Sequence, residues 1–264
     1  MIKVYANGIE FYEDNKDFLL TNPYTEVFYR LDSPLLTEVN KEEYAIKVFQ
    51  DHKTLLVLKK EPFNILCFGD KELTSELLDY LISNEYRLTD YLAPMELGDE
   101  LLKELVERGY PYKLSIGMDF MECKERHAPS SDIVENATKD DIDELYECEI
   151  AFFKDCGLID EANREHIEKR IDFYRVIRVD GVIASLARYY YTTATGMGIS
   201  MVYTRDEYRG RGYAKIICNN ILNEIMDKGK IATLNVDQKN PISYHIYSSI
   251  GFKKIFSQGI YVKE

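Results

Sequence analysis

The sequence has few of the features that mark a disulfide-bonded, disordered or membrane-anchored protein. Its five cysteines form no CxxC pair, and an odd number spread over 264 residues does not favour disulfide pairing. Only 14 residues are Gly and 7 are Pro, while 45% are hydrophobic, which is typical of a globular chain with a core. The segment 1–14 reaches an acid at Glu10 and contains no continuous apolar run, so it predicts neither a signal peptide nor a membrane anchor. These absences fit a cytoplasmic protein best.

Positive charge and recognisable hydrolase or nucleotide motifs are also scarce. The 33 Lys and Arg residues against 46 Asp and Glu give a net charge of −13, which repels phosphate backbones and argues against a nucleic-acid partner. The same negative charge favours the approach of a cationic amine substrate, although many acidic proteins owe their composition to solubility alone. The four histidines stand at no metal-ligand spacing, so no metal site is expected. Neither a G-x-S-x-G elbow nor a G-x-x-x-x-G-K-[ST] loop is present.

The length of the chain and one polar stretch predict two α/β domains. A chain of 264 residues is long enough for two ordinary domains, and the aperiodic stretch 124–131 marks a boundary between segments 1–126 and 132–264. In the first segment we expect strands at Tyr44–Phe49 and Thr54–Leu58, with no helical periodicity before residue 60. Further along, apolar spacing predicts two helices and then a strand, over 71–83, 99–108 and 112–123.

The second segment alternates between strand and helix patterns. This alternation predicts a mixed α/β sheet covered by helices. Strands are expected near 133–137, 174–179, 182–191, 197–204, 231–236 and 252–262. Helices are expected near 139–153, 160–172, 213–228 and 241–250. The stretch 105–110 weakly resembles 247–252, and this leaves two alternatives open, a shared ancestor of the two halves or two ordinary helix–Gly–strand corners.

The most informative segment is a glycine loop between a strand and a helix. Met197 to Thr204 reads as the strand, Arg209-Gly-Arg-Gly-Tyr-Ala214 as the loop, and Ala214, Ile217, Ile221 and Ile225 as the buried face of the helix. The start of such a helix presents free N–H groups and the positive end of its dipole, and glycines allow a phosphate to approach the backbone. From Arg205 to Lys215 there are four basic and two acidic residues, a local net of +2. The pattern favours a small anion at this position.

A second motif follows at Asn240-Pro-Ile-Ser-Tyr-His-Ile-Tyr-Ser-Ser-Ile-Gly-Phe252. Asn240 is a good N-cap and Pro241 suits the first helical turn, so a helix is expected to begin here. Ile242, Ile246 and Ile250 are expected to share one stripe, and Ser243 and Tyr247 another. A phenol with a pKa of about 10 is protonated at neutral pH and can act as an acid, whereas the alternative for Tyr247 is simple packing on the core.

Together these motifs resemble the GNAT N-acetyltransferases. Arg209-x-x-Gly212-x-Ala214 is similar to the [Gln/Arg]-x-x-Gly-x-[Gly/Ala] signature of that superfamily, and the second motif is similar to its Asn-x-x-[Ala/Ser]-x-x-x-Tyr-x-x-x-Gly-Phe pattern. The resemblance covers residues 132–264 and implies a mixed, mostly antiparallel sheet flanked by helices. It leaves the first segment as an α/β domain of uncertain role, with a degenerate copy of the same fold as one alternative.

The resemblance implies a set of site residues. Tyr247 would protonate the leaving thiolate of coenzyme A. The acetyl-CoA site would comprise Val202, Tyr203, Thr204, Arg209, Gly210, Arg211, Gly212, Tyr213, Ala214, Asn240 and Ser243.

The implied activity is transfer of an acetyl group from acetyl-CoA to a primary amine, in a ternary complex and without a metal. The acceptor would be a small-molecule or peptide amine, and monomer and homodimer both stay open. The strand 199–204 carries no carboxylate, whereas many family members have a Glu there as the base. This departure keeps a second hypothesis open, a non-catalytic acyl-CoA-binding sensor or scaffold. Glu147, Glu149 and His245 are weaker candidates for the base.

Overall fold

A computed structural model describes residues 1–157, 162–191, 193 and 195–264, excluding the side chain of Tyr191. The predicted helical segment 160–172 therefore begins outside the described residues. The chain divides into two compact units, which are described separately below. The first comprises 1–119, 237–239 and 256–264, and the second comprises 120–236 and 240–255. The division falls inside a strand at Asp119, so the predicted boundary stretch 124–131 lies within the second unit.

The first unit contains a β-α-α-β-β-β-α-β-α-β order of elements. Its strands are β1 (Ile2–Val4), β2 (Tyr44–Gln50), β3 (Lys53–Lys59), β4 (Ile65–Gly69), β5 (Tyr91–Pro94) and β6 (Tyr112–Cys123), the last of which continues into the second unit. Its helices are α1 (Gly8–Leu19), α2 (Pro23–Asp32), α3 (Thr74–Ser83) and α4 (Met95–Glu107). Strands β1 to β4 pair antiparallel in sequence order, and β4 pairs parallel with β5.

The expectation that no helix forms before residue 60 was wrong. Two helices, α1 and α2, precede the predicted strands, and the side chains of Asn7 and Asn22 accept hydrogen bonds from the first helical amides. The buried face of α1 includes a polar residue, Asn15, whose amide donates to Phe11 O and to the hydroxyl of Tyr5. Because a buried asparagine interrupts the apolar stripe, hydrophobic periodicity alone could not reveal this helix.

The second unit repeats the same order of elements. Its strands are β7 (Val134–Asn136), β8 (Tyr174–Val179), β9 (Val182–Tyr191), β10 (Gly196–Thr204), β11 (Ile231–Asp237) and β12 (Lys253–Lys263), and the last two run on into residues of the first unit. Its helices are α5 (Ile142–Cys156), α6 (Arg164–Lys169), α7 (Tyr213–Asp227) and α8 (Pro241–Ser249). Strands β7 to β10 pair antiparallel, whereas β10 pairs parallel with β11. The predicted mixed, mostly antiparallel sheet flanked by helices is confirmed.

Two apolar clusters lie in the second unit, on opposite faces of its strands. One contains Ile217, Ile221 and Ile225 of α7, which are fully buried as the spacing predicted. The other contains Leu145 and Cys148 of α5. Since successive residues of a strand face opposite ways, β9 and β10 present alternate side chains to α7 and to α5.

Candidate functional site

The glycine loop holds its backbone in a conformation that only glycine adopts easily. Gly210 and Gly212 have φ angles of +77° and +81°, and Gly212 is the N-cap of α7. A Cβ added at either residue would meet no atom within 4 Å. The glycines are therefore required locally by the left-handed backbone and not by a neighbouring protein atom. The space over the loop is open to a ligand.

Six consecutive backbone amides at this loop have no acceptor within the described part of the chain. Tyr208 and Arg209 still donate to Arg205 O and Asp206 O, and Ile216 donates to Gly212 O at 3.1 Å. The amides from Gly210 to Lys215 lie between these bonds and donate to no described atom. The first turn of α7 also contains no acidic residue. A run of free amides at the positive end of a helix dipole is suited to a di- or monophosphate.

The basic side chains of the loop have different partners. Nη2 of Arg209 lies 2.5 Å from Asp155, its Nη1 lies 2.9 Å from Asp206, and its Nε donates to Thr204 O. The hydrogen bond to Asp155 raises the pKa of Arg209 above its ordinary value. Arg211 donates to Glu207 O and makes no ion pair with any described residue. The unpaired amides of residues 210–215 and the side chain of Arg211 are therefore available to bind an anion.

The strand before the loop is distorted beside it. The β10–β9 register shifts between Ser200 and Tyr203, and Met201 has a φ of +54°. Met201 and Val202 lie between the register pairs Ser200–Arg188 and Tyr203–Leu186, so two residues of β10 stand opposite the single residue Ala187 of β9, as in a β-bulge. Beyond the bulge, Tyr203 O and Thr204 O accept hydrogen bonds from the side chains of Ser185 and Arg209. On its other edge, β10 pairs with the parallel strand β11 only at Gly196–Gly198. Residues 202–204, which are expected to contact acetyl-CoA, lie beyond that paired part of β10.

Helix α8 begins and ends as its sequence predicts. Asn240 is the N-cap, and its side-chain oxygen accepts from the amide of Ser243 at 3.0 Å. At the other end Gly251 has a φ of +96°, and Phe252 N donates to Tyr247 O at 3.1 Å, which closes the last turn. The three isoleucines keep the spacing of one stripe but differ in burial, since Ile242 is 73% exposed whereas Ile250 is buried.

Tyr247 lies in the apolar cluster beneath α7. Its side chain is 8% exposed and packs edge-on against Phe252. Burial raises the pKa of Tyr247 above its ordinary value, the buried Cys218 raises it further, and the hydroxyl of Ser243 opposes the shift. A neutral phenol at physiological pH can donate a proton but is not a base.

The weaker candidates for the base have different surroundings. Glu147 and His245 are exposed. Glu149 is 6% exposed and accepts a hydrogen bond from the hydroxyl of Tyr174. Sequence reasoning treated Glu149 as a solvated helical residue, and its partner on β8 could not be identified from a pattern along α5. Among the described residues, no group of three or more His, Cys, Asp or Glu could hold a metal, and no helix could cross a membrane.

The first unit lacks both site features at the corresponding places in its element order. Between β4 and α3 it has Gly69-Asp-Lys-Glu-Leu-Thr74 without a second glycine, and Asp70 accepts from the amide of Thr54 at 2.7 Å. After α4, Gly109 has a φ of +83° and Tyr110 N donates to Leu105 O, so Leu105 occupies the position in α4 that Tyr247 occupies in α8. The weak sequence similarity between 105–110 and 247–252 therefore reflects two helices that end in the same way, at the same place in the order of elements.

Comparison with known proteins agrees with this fold. Residues 179–261 match the model of a family described as FR47-like protein. A GCN5-related N-acetyltransferase from Sphaerobacter thermophilus is 16% identical, with 84% of this chain and 81% of that chain covered and a TM-score of 0.60. A GNAT-family acetyltransferase from Colwellia psychrerythraea is 10% identical, with 100% and 99% covered and a TM-score of 0.59. This chain has the GNAT fold.

A GCN5-related N-acetyltransferase from Kribbella flavida is 14% identical, with 82% of this chain and 88% of that chain covered and a TM-score of 0.50. No curated protein sequence matches the chain significantly. At these identities the solved structures establish the fold, and the resemblance predicted from the two motifs is confirmed at that level. The GNAT neighbours span both units of this chain, since the Colwellia structure is covered over nearly its whole length.

Proposed function

We propose that the second unit is an acetyl-CoA-dependent N-acetyltransferase that transfers the acetyl group directly to a primary amine in a ternary complex. The observation that carries this proposal is the run of unpaired amides from Gly210 to Lys215 at the start of α7. It matches the diphosphate of coenzyme A in charge and in hydrogen-bonding capacity. Arg211, Tyr213 and Ala214 belong to this loop, and Asn240 and Ser243 would border the pantetheine arm from α8.

The chemistry requires a nucleophilic amine and a protonated leaving group. A neutral amine nitrogen attacks the thioester carbonyl, the C–N bond forms, and the C–S bond breaks as the thiolate leaves. Tyr247 would give its proton to that sulfur, since burial keeps its phenol protonated. The proton that the amine loses passes to water, from which the tyrosinate is reprotonated. A primary amine with a pKa of about 10.4 must lose one proton before it attacks, which also requires a water or a base.

The second candidate is a non-catalytic acyl-CoA sensor. It is favoured by the lack of a carboxylate on the strand segment 199–204, where many family members carry the base. Both candidates predict coenzyme A binding, and only the first predicts turnover.

Two measurements separate these candidates. Calorimetry with acetyl-CoA measures binding, and release of the coenzyme A thiol in the presence of a panel of amines measures transfer. We expect both binding and turnover. Tight binding without turnover of any amine would support the sensor, and failure to bind coenzyme A would contradict both candidates.

A further inference from the structure

A row of polar side chains crosses three strands of the second unit. Tyr174 on β8 pairs directly with Arg188 on β9, and Arg188 pairs directly with Ser200 on β10. Directly paired residues point to the same face of a sheet with their Cβ atoms about 5 Å apart. The three side chains are therefore neighbours on the face that α5 covers. None of them belongs to the coenzyme A site proposed above.

The two ends of this row differ in hydrogen bonding. At one end Tyr174 is fully buried and its hydroxyl donates to Glu149. At the other end Nε of Arg188 and Oγ of Ser200 are both buried and have no hydrogen-bond partner. Arg188 forms no ion pair with any residue that the structure describes, and its guanidinium carbon lies 5.8 Å from the centre of the Tyr174 ring. The polar row thus ends in two unsatisfied donors on adjacent strands.

Unsatisfied buried polar groups are costly, which makes these two informative. Leaving one buried donor without an acceptor costs roughly 1–3 kcal/mol. A guanidinium offers a planar fork of N–H groups that matches the two oxygens of a carboxylate, and a serine hydroxyl can add a third bond. One small carboxylate would satisfy both side chains together.

Next to Ser200, on the same face of the sheet, the ring of Tyr190 covers Gly198. Gly198 pairs with Tyr190, and a Cβ on Gly198 would lie 2.4 Å from the Tyr190 ring. Tyr190 is 37% exposed, so this ring lies between solvent and the strand. Ser200 directly precedes the bulge and stands two residues before Val202 on the same strand.

We propose that Arg188 and Ser200 bind the carboxylate of the acceptor, so that the substrate is a compact amino acid rather than a simple alkylamine. This inference rests on the proposed acetyltransferase function and on the expected place of Val202 in the acetyl-CoA site, because it puts the amine of the acceptor beside the acyl group at Val202. A carboxylate at Arg188 and an amine near Val202 can be joined by only a few bonds. A free α- or β-amino acid has that spacing, whereas a lysine side chain of a protein has no carboxylate next to its amine.

The first test compares each acceptor with its uncharged counterpart. The standard amino acids and β-alanine are assayed at saturating acetyl-CoA beside the matching carboxamides, which keep the amine and lose the negative charge. We expect at least one amino acid to have a kcat/KM at least about tenfold above that of its carboxamide. Equal or faster turnover of every carboxamide would overturn the proposal.

The second test removes the guanidinium. Arg188→Gln should raise KM for the amino acid at least about tenfold, leaving the Kd for acetyl-CoA and the turnover of the carboxamide nearly unchanged. Arg178→Gln is the matched control, since Arg178 lies on β8 and already pairs with Glu135 and Asp141. If Arg188→Gln impairs turnover of the amino acid and of the carboxamide equally, Arg188 has only a structural role. The same conclusion follows if Arg178→Gln also raises KM for the amino acid alone.

A binding measurement keeps this inference separate from the proposed function. N-acetylated amino acids are titrated by calorimetry into the wild type and into Arg188→Gln, each saturated with coenzyme A. Binding that is lost in the variant supports the carboxylate site even if no amine is turned over, an outcome that would contradict only the enzyme. Equal binding by both proteins would overturn the carboxylate site, whatever the turnover assay shows.

Discussion

Nη2 of Arg209 lies 2.5 Å from Oδ2 of Asp155, so the last turn of α5 is tied to the glycine loop by an ion pair. Both side chains are about half exposed, which makes the pair a weak contributor to stability. Its more important consequence is electrostatic. Arg209 neutralises a carboxylate that would otherwise face the phosphate groups expected at the loop.

This pair predicts a compensating double variant. Arg209→Gln should weaken coenzyme A binding about three- to tenfold, because the uncovered carboxylate of Asp155 repels the diphosphate. Adding Asp155→Asn should recover most of the lost affinity, and Asp155→Asn alone should leave the Kd within about twofold. Calorimetry at low and high salt measures these constants. If the double variant binds as weakly as Arg209→Gln, Arg209 contacts the ligand directly.

The conformation of Gly212 predicts a loss of binding that exceeds any loss of stability. Gly212→Ala forces a Cβ into the left-handed region, which costs about 1–2 kcal/mol, and places a methyl group over the free amides. Coenzyme A affinity should fall at least about tenfold. Gly229→Ala is the matched control, since Gly229 has a φ of +66° and equally open surroundings. Both variants should lose similar stability, whereas only the first should lose binding, and equal affinities would remove the loop from the site.

The buried phenol of Tyr247 predicts an effect on rate without an effect on binding. Tyr247→Phe should lower kcat at least about tenfold and leave the Kd for coenzyme A within about twofold, because a proton donor acts in the transition state. Tyr244→Phe, at an exposed position of the same helix, should change neither quantity. Because burial raises the pKa of Tyr247, the wild-type rate should show no loss from its deprotonation below pH 10. An unchanged kcat in the variant would assign Tyr247 to packing alone.

Local signals in the sequence predicted most of the second unit. Each of three features depends on only a few nearby residues, so it could be found without tertiary information: the glycine loop, the cap at Asn240 and the apolar face of α7. Helix α1 was missed because Asn15 interrupts its buried stripe and is satisfied by Tyr5, a contact that no local pattern reveals. The polar row was also missed, since Tyr174, Arg188 and Ser200 become neighbours only through strand pairing.

Buried thiols predict a loss of stability in alkali. Burial raises the pKa of Cys67 and of Cys218 to about 12, and that of Cys148 to about 11. The unfolded chain loses these protons near pH 8.5, so this stability is complete below that pH and is lost progressively up to pH 11–12. Each group should remove up to about 1.4 kcal/mol of unfolding free energy per pH unit in this range.

Urea denaturation at pH 8, 9.5 and 10.5 measures this effect, and Cys218→Ala in the same series should flatten the slope. A midpoint that does not depend on pH would contradict the burial of these thiols. A thiol reagent offers an independent check at neutral pH. Of the five cysteines, all in the described part of the chain, only Cys156 is exposed and should react quickly in the native protein.

The bond between Tyr174 and Glu149 predicts a strongly coupled pair inside the second unit. Tyr174→Phe removes the donor from a carboxylate that is 6% exposed, and leaving that buried group without its hydrogen bond should cost about 2–3 kcal/mol of stability. Glu149→Gln keeps an acceptor for the hydroxyl and should cost about 1 kcal/mol. Combining both changes should cost less than their sum, because the double variant contains no unpaired charge. Urea denaturation of the four proteins gives the coupling energy, and additive losses would show that the two side chains do not interact.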